Sequence, residues 1–359
     1  MAENPVRYAV IGSGWRADFF LKLAASLPDR LRVSSVVTRT PERAAQIEAA
    51  WGVPTHLDLD GLERDRPDFV ITSVPWDVNP GMVEALVERG LRVLSETPPA
   101  PDRDGLRRLW AGVGERRMVQ VAEQYLLLPD HAARLAVVRS GRIGEPTSAQ
   151  VSSTHLYHAV SMIRGMLGVG CGPVEVSARA FTAPLIAPLD RVEGWRDLEP
   201  QPTVTTLATL DFGGRVGLYD FTDGQWWNPL RSRRIVVRGS RGELVDDRVI
   251  RMADPRTPME STLRRRQTGR DLNLEGFDLD HIGFDGEVVY RNPFAGARLS
   301  DEEIAIASIL EATGRWSRDE GDAPYPLAEA CQDHLIGLAI EESARTGAPV
   351  TTAVEDWAA

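Results

Sequence analysis

The chain has 359 residues, of which 43% are hydrophobic, and 41 basic against 52 acidic side chains give it a formal net charge of −11. This length and composition predict a packed protein of two domains, and the acidic balance argues against nucleic-acid or anionic-membrane partners. Two cysteines, Cys171 and Cys331, are too few for a disulfide framework. Neither a signal-peptide pattern nor an apolar run of about 18 residues is found, so we expect a cytoplasmic protein.

Strands and helices alternate over the first third of the chain. Short apolar runs predict strands at 6–11, 31–37, 68–74, 91–95 and 117–121. Apolar residues at helical spacing predict helices at 15–27, 41–51, 79–89 and 102–114. Alternation of this kind is typical of a parallel sheet covered on both faces, so residues 1–122 are predicted to form an α/β domain.

The remaining residues, 123–359, change character. Helices are predicted at 130–140, 155–168, 301–314 and 326–346, and the last is expected to pack back against the first domain. Strands are predicted at 146–154, 173–182, 203–212, 215–223, 233–238 and 242–252. Because glycine turns rather than helices separate most of these strands, we predict an α+β domain with a large, mostly antiparallel open sheet. Residues 184–202 are expected to form a loop, and residues 253–282 to be irregular.

A glycine-rich turn follows the first strand and opens the first helix. It consists of Gly12, Ser13, Gly14, Trp15, Arg16 and Ala17. The first glycine permits the tight turn, the second lets backbone approach a diphosphate, and the small residue at 17 lets the helix pack closely. The N–H groups of the helix N-terminus complete an anion site. The strand–turn–helix context therefore predicts a dinucleotide-binding site.

The end of the second strand bears on the choice between NAD and NADP. An acidic residue there would bind the ribose 2′-hydroxyl of NAD. This chain has Thr38 and Arg39 instead, with Arg43 a few residues on. A carboxylate beside a 2′-phosphate would cost about 4 kcal/mol at 4 Å, whereas an arginine attracts it. We therefore favour NADP over NAD, with a solvated surface role for Arg39 as the alternative.

Several segments, in this order, resemble the Gfo/Idh/MocA family of oxidoreductases (glucose–fructose oxidoreductase, inositol dehydrogenase and relatives). They are AVIGSGWRA at 9–17, VTRTPERA at 37–44, the run from 71 to 98 that ends in SETP, SGRIGEP at 140–146, HLYHAVSMIRGMLG at 155–168 and YPLAEACQDHLIGLAIEESARTGAPV at 325–350. The resemblance implies an N-terminal Rossmann domain and a second domain whose open sheet packs substrate against the nicotinamide. It also implies hydride transfer on a small polyhydroxylated substrate and a homodimer or homotetramer.

The resemblance also implies residue roles. It places Pro75, Trp76, Asn79, Glu96 and Thr97 beside the cofactor. The family's Glu-Lys-Pro signature is here Glu-Thr-Pro, so the lysine that polarises the reacting hydroxyl in relatives is absent.

In the second domain, His158 stands where the family has its catalytic histidine, and Thr154 replaces the aspartate partner of that histidine. Because a histidine titrates near neutral pH, His158 is the leading acid/base candidate, with Tyr125 or Tyr157 as hydrogen-bonding partners.

Thr154, His155 and Trp226 are predicted to contact substrate, although ordinary sheet packing is the alternative for the tryptophan. We predict no metal, because no further ligand lies near His155 and His158 in sequence. Two other functions stay open: an enzyme that oxidises and re-reduces one sugar carbon with no net redox change, and a catalytically silent cofactor-binding sensor. Turnover without net cofactor change would favour the first, and a His158→Ala variant without effect the second.

Overall fold

The computed structural model describes residues 4–190, 194–196, 199–269 and 273–358. Its described residues divide into two compact units, and each is described by itself. The first unit takes in the described residues of Met1–Leu128, Thr268–Asp278 and Asn292–Cys331, and the second those of Pro129–Gln267, Leu279–Arg291 and Gln332–Ala359. The domain boundary predicted at residue 122 stays a prediction.

A parallel sheet forms the centre of the first unit. Its six strands are β1 (Val6–Ile11), β2 (Leu31–Val37), β3 (Thr55–His56), β4 (Phe69–Thr72), β5 (Val93–Ser95) and β6 (Val119–Val121). The helices between them are α1 (Trp15–Ser26), α2 (Pro41–Trp51), α3 (Asp60–Asp65), α4 (Asn79–Glu88) and α5 (Arg103–Val113). The strand order β3-β2-β1-β4-β5-β6 confirms the predicted Rossmann fold.

Buried apolar runs and helix caps explain these elements. Tyr8 at the centre of β1 is fully buried, and its hydroxyl donates to the Phe20 carbonyl of α1 at 2.8 Å. Thr40 caps α2 by accepting from the Arg43 amide, and Gly52 ends that helix in the left-handed conformation. Because all six strands are parallel, the loops after β1, β2, β4 and β5 meet at one edge of the sheet, where α/β proteins bind ligands.

The rest of the chain contains four helices and fourteen strands within the described ranges. The helices are α6 (Pro129–Arg139), α7 (Leu156–Leu167), α8 (Asp301–Ser317) and α9 (Leu327–Thr346). The strands are β7 (Pro146–Ser152), β8 (Glu175–Leu185), β9 (Leu189–Asp190), β10 (Gly194–Trp195), β11 (Gln201–Asp211), β12 (Val216–Thr222), β13 (Arg234–Gly239), β14 (Gly242–Val245), β15 (Arg248–Asp254), β16 (Thr257–Thr262), β17 (Arg264–Thr268), β18 (Asp278–Phe284), β19 (Glu287–Arg291) and β20 (Val350–Thr351). None of the described helices is long and apolar enough to span a bilayer.

A nine-stranded sheet dominates the second unit, in the order β16-β15-β14-β13-β7-β12-β11-β8-β20. Its described pairs are antiparallel except β7 with β12, which run parallel with Val151 opposite Tyr219. This mostly antiparallel sheet confirms the predicted fold class. The parallel pair has a local consequence, because the carboxyl ends of β7 and β12 lie at the same edge.

Three sequence-based expectations for this region were wrong in detail. The single strand expected at 242–252 is a hairpin of β14 and β15, which turns at Asp246, where φ is +53°. Residues 253–282, expected to be irregular, include β16, β17 and the start of β18. The loop expected at 184–202 holds the short strands β9 and β10, and residues 191–193 and 197–198 lie outside the described residues.

Helix α7 follows β7 directly and is buried along most of its length. It ends at Gly168, which adopts the left-handed conformation with φ of +64°. Arg164 of α7 donates to Asp333 of α9 at 2.6 Å, and neither side chain is more than 3% exposed. This buried ion pair fixes α7, and with it the turn that joins β7 to α7.

Candidate active site

The glycine turn of the first unit is shaped by a close backbone approach. Gly12 has a φ of +115°, and a Cβ atom on it would lie 2.0 Å from the carbonyl oxygen of Ser73. Gly14 precedes α1 as its N-cap, no side chain caps that helix, and a Cβ on Gly14 would meet nothing within 4 Å. The N-terminus of α1 therefore has the open backbone that a diphosphate requires.

Side chains from the β2–α2 connection hold this turn. The Thr38 hydroxyl donates to Ser13 Oγ at 3.2 Å, and Arg43 donates from Nε and Nη2 to the Ser13 carbonyl at 3.2 and 2.8 Å. Arg43 also lies 3.5 Å from Asp18 of α1. Arg39 is exposed and has no hydrogen bond or ion pair with any described residue. Of these arginines, Arg43 is occupied within the protein and Arg39 is available to an anion.

An ion pair joins α1 to the end of β5. Arg16 Nε lies 2.7 Å from Glu96 Oε1, and its Nη1 lies 3.5 Å from a carboxylate oxygen of Glu302. Burial lowers the pKa of Arg16, but Glu96, Glu302 and Tyr125 together raise it by more, and the net shift is upward. The other oxygen of Glu96 accepts from the Thr97 amide at 3.4 Å. Glu96 is thus engaged by Arg16, and Tyr125, which begins a 3-10 turn after β6, adds a Coulombic interaction with that arginine.

Two tryptophans are exposed at this edge of the sheet. Trp15 at the start of α1 is 59% exposed, and Trp76 in the loop after β4 is 60% exposed. Pro75 beside it is also exposed. Large exposed apolar side chains beside an open helix N-terminus indicate a binding surface.

Asn79, the first residue of α4, differs from the exposed loop residues before it, because it is only 2% exposed. Its Oδ1 accepts from Thr72 Oγ1 at 2.6 Å, and its Nδ2 donates to Ser95 Oγ and the Pro99 carbonyl at 2.9 and 3.0 Å. These bonds join the ends of β4 and β5. The predicted cofactor contact of Asn79 stays a prediction, and in this structure its amide positions the two strand ends.

In the second unit, the candidate substrate residues meet where β7 and β12 end. Thr154, fully buried after β7, accepts a hydrogen bond from Trp226 Nε1 at 3.4 Å. The ring of Trp226 lies perpendicular to that of His155, with centroids 4.7 Å apart. The structure therefore brings Thr154, His155 and Trp226 together, because the parallel β7–β12 pair delivers them to one edge.

The two candidate histidines also form a contact. The rings of His155 and His158 are 5.3 Å apart in an edge-to-face arrangement, and Tyr157 lies 5.2 Å from His158 on another side. Burial, and then the neighbouring His158, lower the pKa of His155 to about 4. His155 Nδ1 is buried without a hydrogen-bond partner among the described residues. His155 is therefore neutral near pH 7.

Sequence reasoning missed two residues that hold this edge together. Gln225 Nε2 donates to the Ser152 carbonyl at 2.9 Å, and its Oε1 accepts from the Thr222 amide at 3.1 Å, which fixes the turn that carries Trp226. The Tyr219 hydroxyl accepts from the Leu156 amide at 3.2 Å. The sequence offers no more than strand alternation at Tyr219 and a polar residue in a turn at Gln225.

A pair of glycine variants tests the turn. Gly12→Ala places a methyl group against Ser73 in a left-handed conformation, which costs about 1–2 kcal/mol before the clash is counted. We expect loss of dinucleotide binding and a lower melting temperature. Gly14→Ala, with a φ of −81° and open space around its Cβ, is the control for stability and should melt within a degree or two of the wild type. Calorimetry and thermal melts measure both, and equal melting temperatures would contradict the argument.

The low pKa of His155 predicts a pH-dependent stability. Because the folded-state pKa of about 4 lies below the ordinary 6.5, the unfolded chain binds the proton between these values and the folded chain does not. The free energy of unfolding therefore decreases as pH falls from about 6.5 to about 4. The decrease is about 2 kcal/mol once screening of the partly exposed ring is allowed for. His155→Gln should flatten this slope in urea unfolding. His131, whose pKa is also lowered, to about 3, remains in both proteins, and an unchanged slope would refute the assignment.

Comparison with known proteins agrees with the glycine turn. Residues 6–123 match the model of the Gfo/Idh/MocA oxidoreductase family, described as having an NAD-binding Rossmann fold. A dTDP-3,4-didehydro-2,6-dideoxy-α-D-glucose 3-reductase from Streptomyces antibioticus is 33% identical over 163 residues, 43% of this chain and 48% of that protein. An inositol 2-dehydrogenase from Streptomyces avermitilis is 26% identical over 180 residues, 45% of this chain and 52% of that protein. The aligned region thus spans about half the length of these relatives.

The likeness of fold extends further along the chain. A levoglucosan dehydrogenase, solved in complex with NADH and levoglucosan, superposes with a TM-score of 0.68 over 97% of this chain and 99% of its own, at 18% sequence identity. At that identity the likeness shows the fold alone. Residues 6–123 are thus similar to the NAD-binding Rossmann domain of the Gfo/Idh/MocA oxidoreductases, in agreement with the fold and the glycine turn of the first unit.

Proposed function

We propose that the chain is an NAD(P)-dependent oxidoreductase that transfers hydride between a nicotinamide dinucleotide and a hydroxyl-bearing carbon of a sugar- or cyclitol-like substrate. The observation that carries the proposal is the glycine turn at Gly12, packed against Ser73 and open at the α1 N-terminus. The relatives named as a dTDP-sugar reductase and an inositol dehydrogenase support the substrate class.

Residues of the first unit would hold the cofactor, which supplies hydride chemistry when bound. The N–H groups at the start of α1 bind the diphosphate, with Gly12 and Gly14 allowing the close approach. Arg39, exposed and without a protein partner among the described residues, attracts a 2′-phosphate. This free cation is the support for a preference for NADP.

Residues of the second unit would handle the substrate and its proton. Alcohol oxidation requires a base at the hydroxyl, and His158 is the residue we assign to that task. The ring of Tyr157 packs against His158 and limits its rotation. His155 and Trp226 would contact the substrate, with the neutral His155 offering hydrogen bonds that do not depend on pH near neutrality. Thr154, predicted as a substrate contact, is fully buried and would act instead by holding Trp226. A homodimer or homotetramer in the cytoplasm stays the expectation.

A substrate screen tests the proposal. Sugars and cyclitols are offered with NAD and with NADP, and absorbance at the nicotinamide band is followed while the sugar products are analysed. We expect net cofactor reduction with at least one substrate, and a loss of 100-fold or more in His158→Ala, in line with general-base catalysis. His281→Ala, a histidine of β18 paired with Asp280, is the matched control. Substrate conversion without net reduction would instead indicate a non-redox enzyme, and no coenzyme binding would reject the proposal.

The cofactor preference has its own test. Arg39→Ala removes one charged contact to the 2′-phosphate, worth about 1.5–3 kcal/mol, so the affinity for NADP should fall about 10- to 100-fold. The affinity for NAD should change little, since it lacks that phosphate. Arg32→Ala, an exposed arginine earlier on β2, is the control. Fluorescence titration gives both dissociation constants, and an equal loss for the two coenzymes would show that Arg39 does not bind the 2′-phosphate.

A further inference from the structure

We propose that Tyr219 is a positioning residue of the second unit's site: its hydroxyl holds a strained turn at Leu156 and so fixes the ring of His158. The kinetic part of this inference rests on the proposed function. Its structural part depends only on the contacts among β7, β12 and α7. Tyr219 lies on β12, far from both histidines along the chain, and it belongs to no sequence motif. The sequence alone therefore gives it no functional role.

The turn at Leu156 is strained. Its φ is +27°, a conformation in which an L side chain clashes with its own backbone. Seven non-glycine residues in the described ranges have positive φ, and six of them are arginines or aspartates. Leu156 is the one with an apolar side chain, and it lies between the two candidate histidines. Strain of this kind persists only where the surrounding structure enforces it, and it concentrates at functional sites.

The hydroxyl of Tyr219 enforces this conformation. It accepts the hydrogen bond of the Leu156 amide at 3.2 Å, which that amide would lose if the turn relaxed. Tyr219 is 3% exposed, and its ring stacks on Phe221 of the same strand with centroids 6.4 Å apart. Burial raises the pKa of Tyr219, so the acceptor is the neutral hydroxyl. A buried side chain of β12 therefore fixes the position of the Leu156 amide.

The backbone of the turn then fixes the imidazoles. The amide of His158 donates to the His155 carbonyl at 3.1 Å, which links the backbone of the two residues. Gly337 of α9 lies behind the turn, and a Cβ on it would be 3.6 Å from the Tyr157 amide nitrogen, an ordinary van der Waals distance, so space is left there for the turn to shift. Removing the Tyr219 hydroxyl leaves a part-buried N–H without its acceptor and lets Leu156 return to an unstrained conformation. The His158 ring then moves relative to β12.

The decisive experiment is a double-mutant cycle on turnover. Tyr219→Phe keeps the ring and should lower kcat at least 10-fold, with the affinity for the coenzyme unchanged. In the Leu156→Gly background the same change should cost less than 3-fold, because glycine adopts positive φ without a brace. Tyr290→Phe, a partly buried tyrosine of β19, is the control and should leave kcat unchanged. Equal losses in the two backgrounds, or no loss in Tyr219→Phe, would overturn the proposal.

A second measurement needs no substrate. In NMR spectra of the coenzyme-free protein at a fixed pH, the His158 Cε1–H signal should show a changed chemical shift and a broader line in Tyr219→Phe, but not in Tyr290→Phe. Leu156→Asn, which tolerates a left-handed conformation, should give the wild-type signal, whereas Leu156→Val should resemble Tyr219→Phe. These two variants decide the question if Tyr219→Phe does not fold. A wild-type signal in Leu156→Val and Tyr219→Phe would overturn the proposal even if no redox substrate is found.

Discussion

The close approach of Gly12 to the Ser73 carbonyl is the contact on which the first unit's site depends. Because Gly12 has no side chain to clash with Ser73, the chain can turn sharply after β1. Helix α1 therefore begins within four residues of the end of that strand. The N-terminus of α1 thereby reaches the edge where β4 and β5 end. Thr38 and Arg43 hold Ser13 from the other side, so the turn is fixed before any anion arrives. A site formed in advance loses less conformational entropy on binding.

Both units use the same device to gather polar residues. Parallel strands end at a common edge, and side chains in the loops that follow them meet there. In the first unit the ends of β1, β2, β4 and β5 supply this edge. In the second unit a single parallel pair within an otherwise antiparallel sheet supplies it, among the strands described, and that pair brings Thr154 after β7 to Trp226 after β12. The parallel pair of the large sheet thus coincides with the cluster of histidines and aromatic rings.

The sequence predicts best those strands and helices that have a buried apolar face. β1, β2 and α2 were predicted with the bounds that the structure has, since a buried strand or an amphipathic helix carries its periodicity in its apolar residues. β16 and β17 were missed because nearly all their residues are exposed, so TPMEST and RRRQT contain no buried face to detect. Their pairing partners hold them as strands. The candidate histidines were identified from a motif. The role of Tyr219 could not be, because its contact with Leu156 depends on the register of β7 and β12.

Few of the described titratable groups other than the two histidines are available to transfer a proton in the proposed reaction. Glu96 is paired with Arg16, and position 97 is a threonine. The chain's one lysine, Lys22, is largely exposed and lies 3.7 Å from Glu303 of α8. Two protonated imidazoles 5.3 Å apart would repel each other by about 3 kcal/mol at an effective dielectric constant of 20.

Repulsion of this size opposes a charge on both rings at once. His155, which burial makes costly to charge, is the neutral ring of the pair. His158 is therefore left as the base of the proposed reaction, and any rotation of its ring moves that base relative to His155. The conformation of the Leu156 turn, which sets the position of His158, is thus as important to the proposed chemistry as the presence of that histidine.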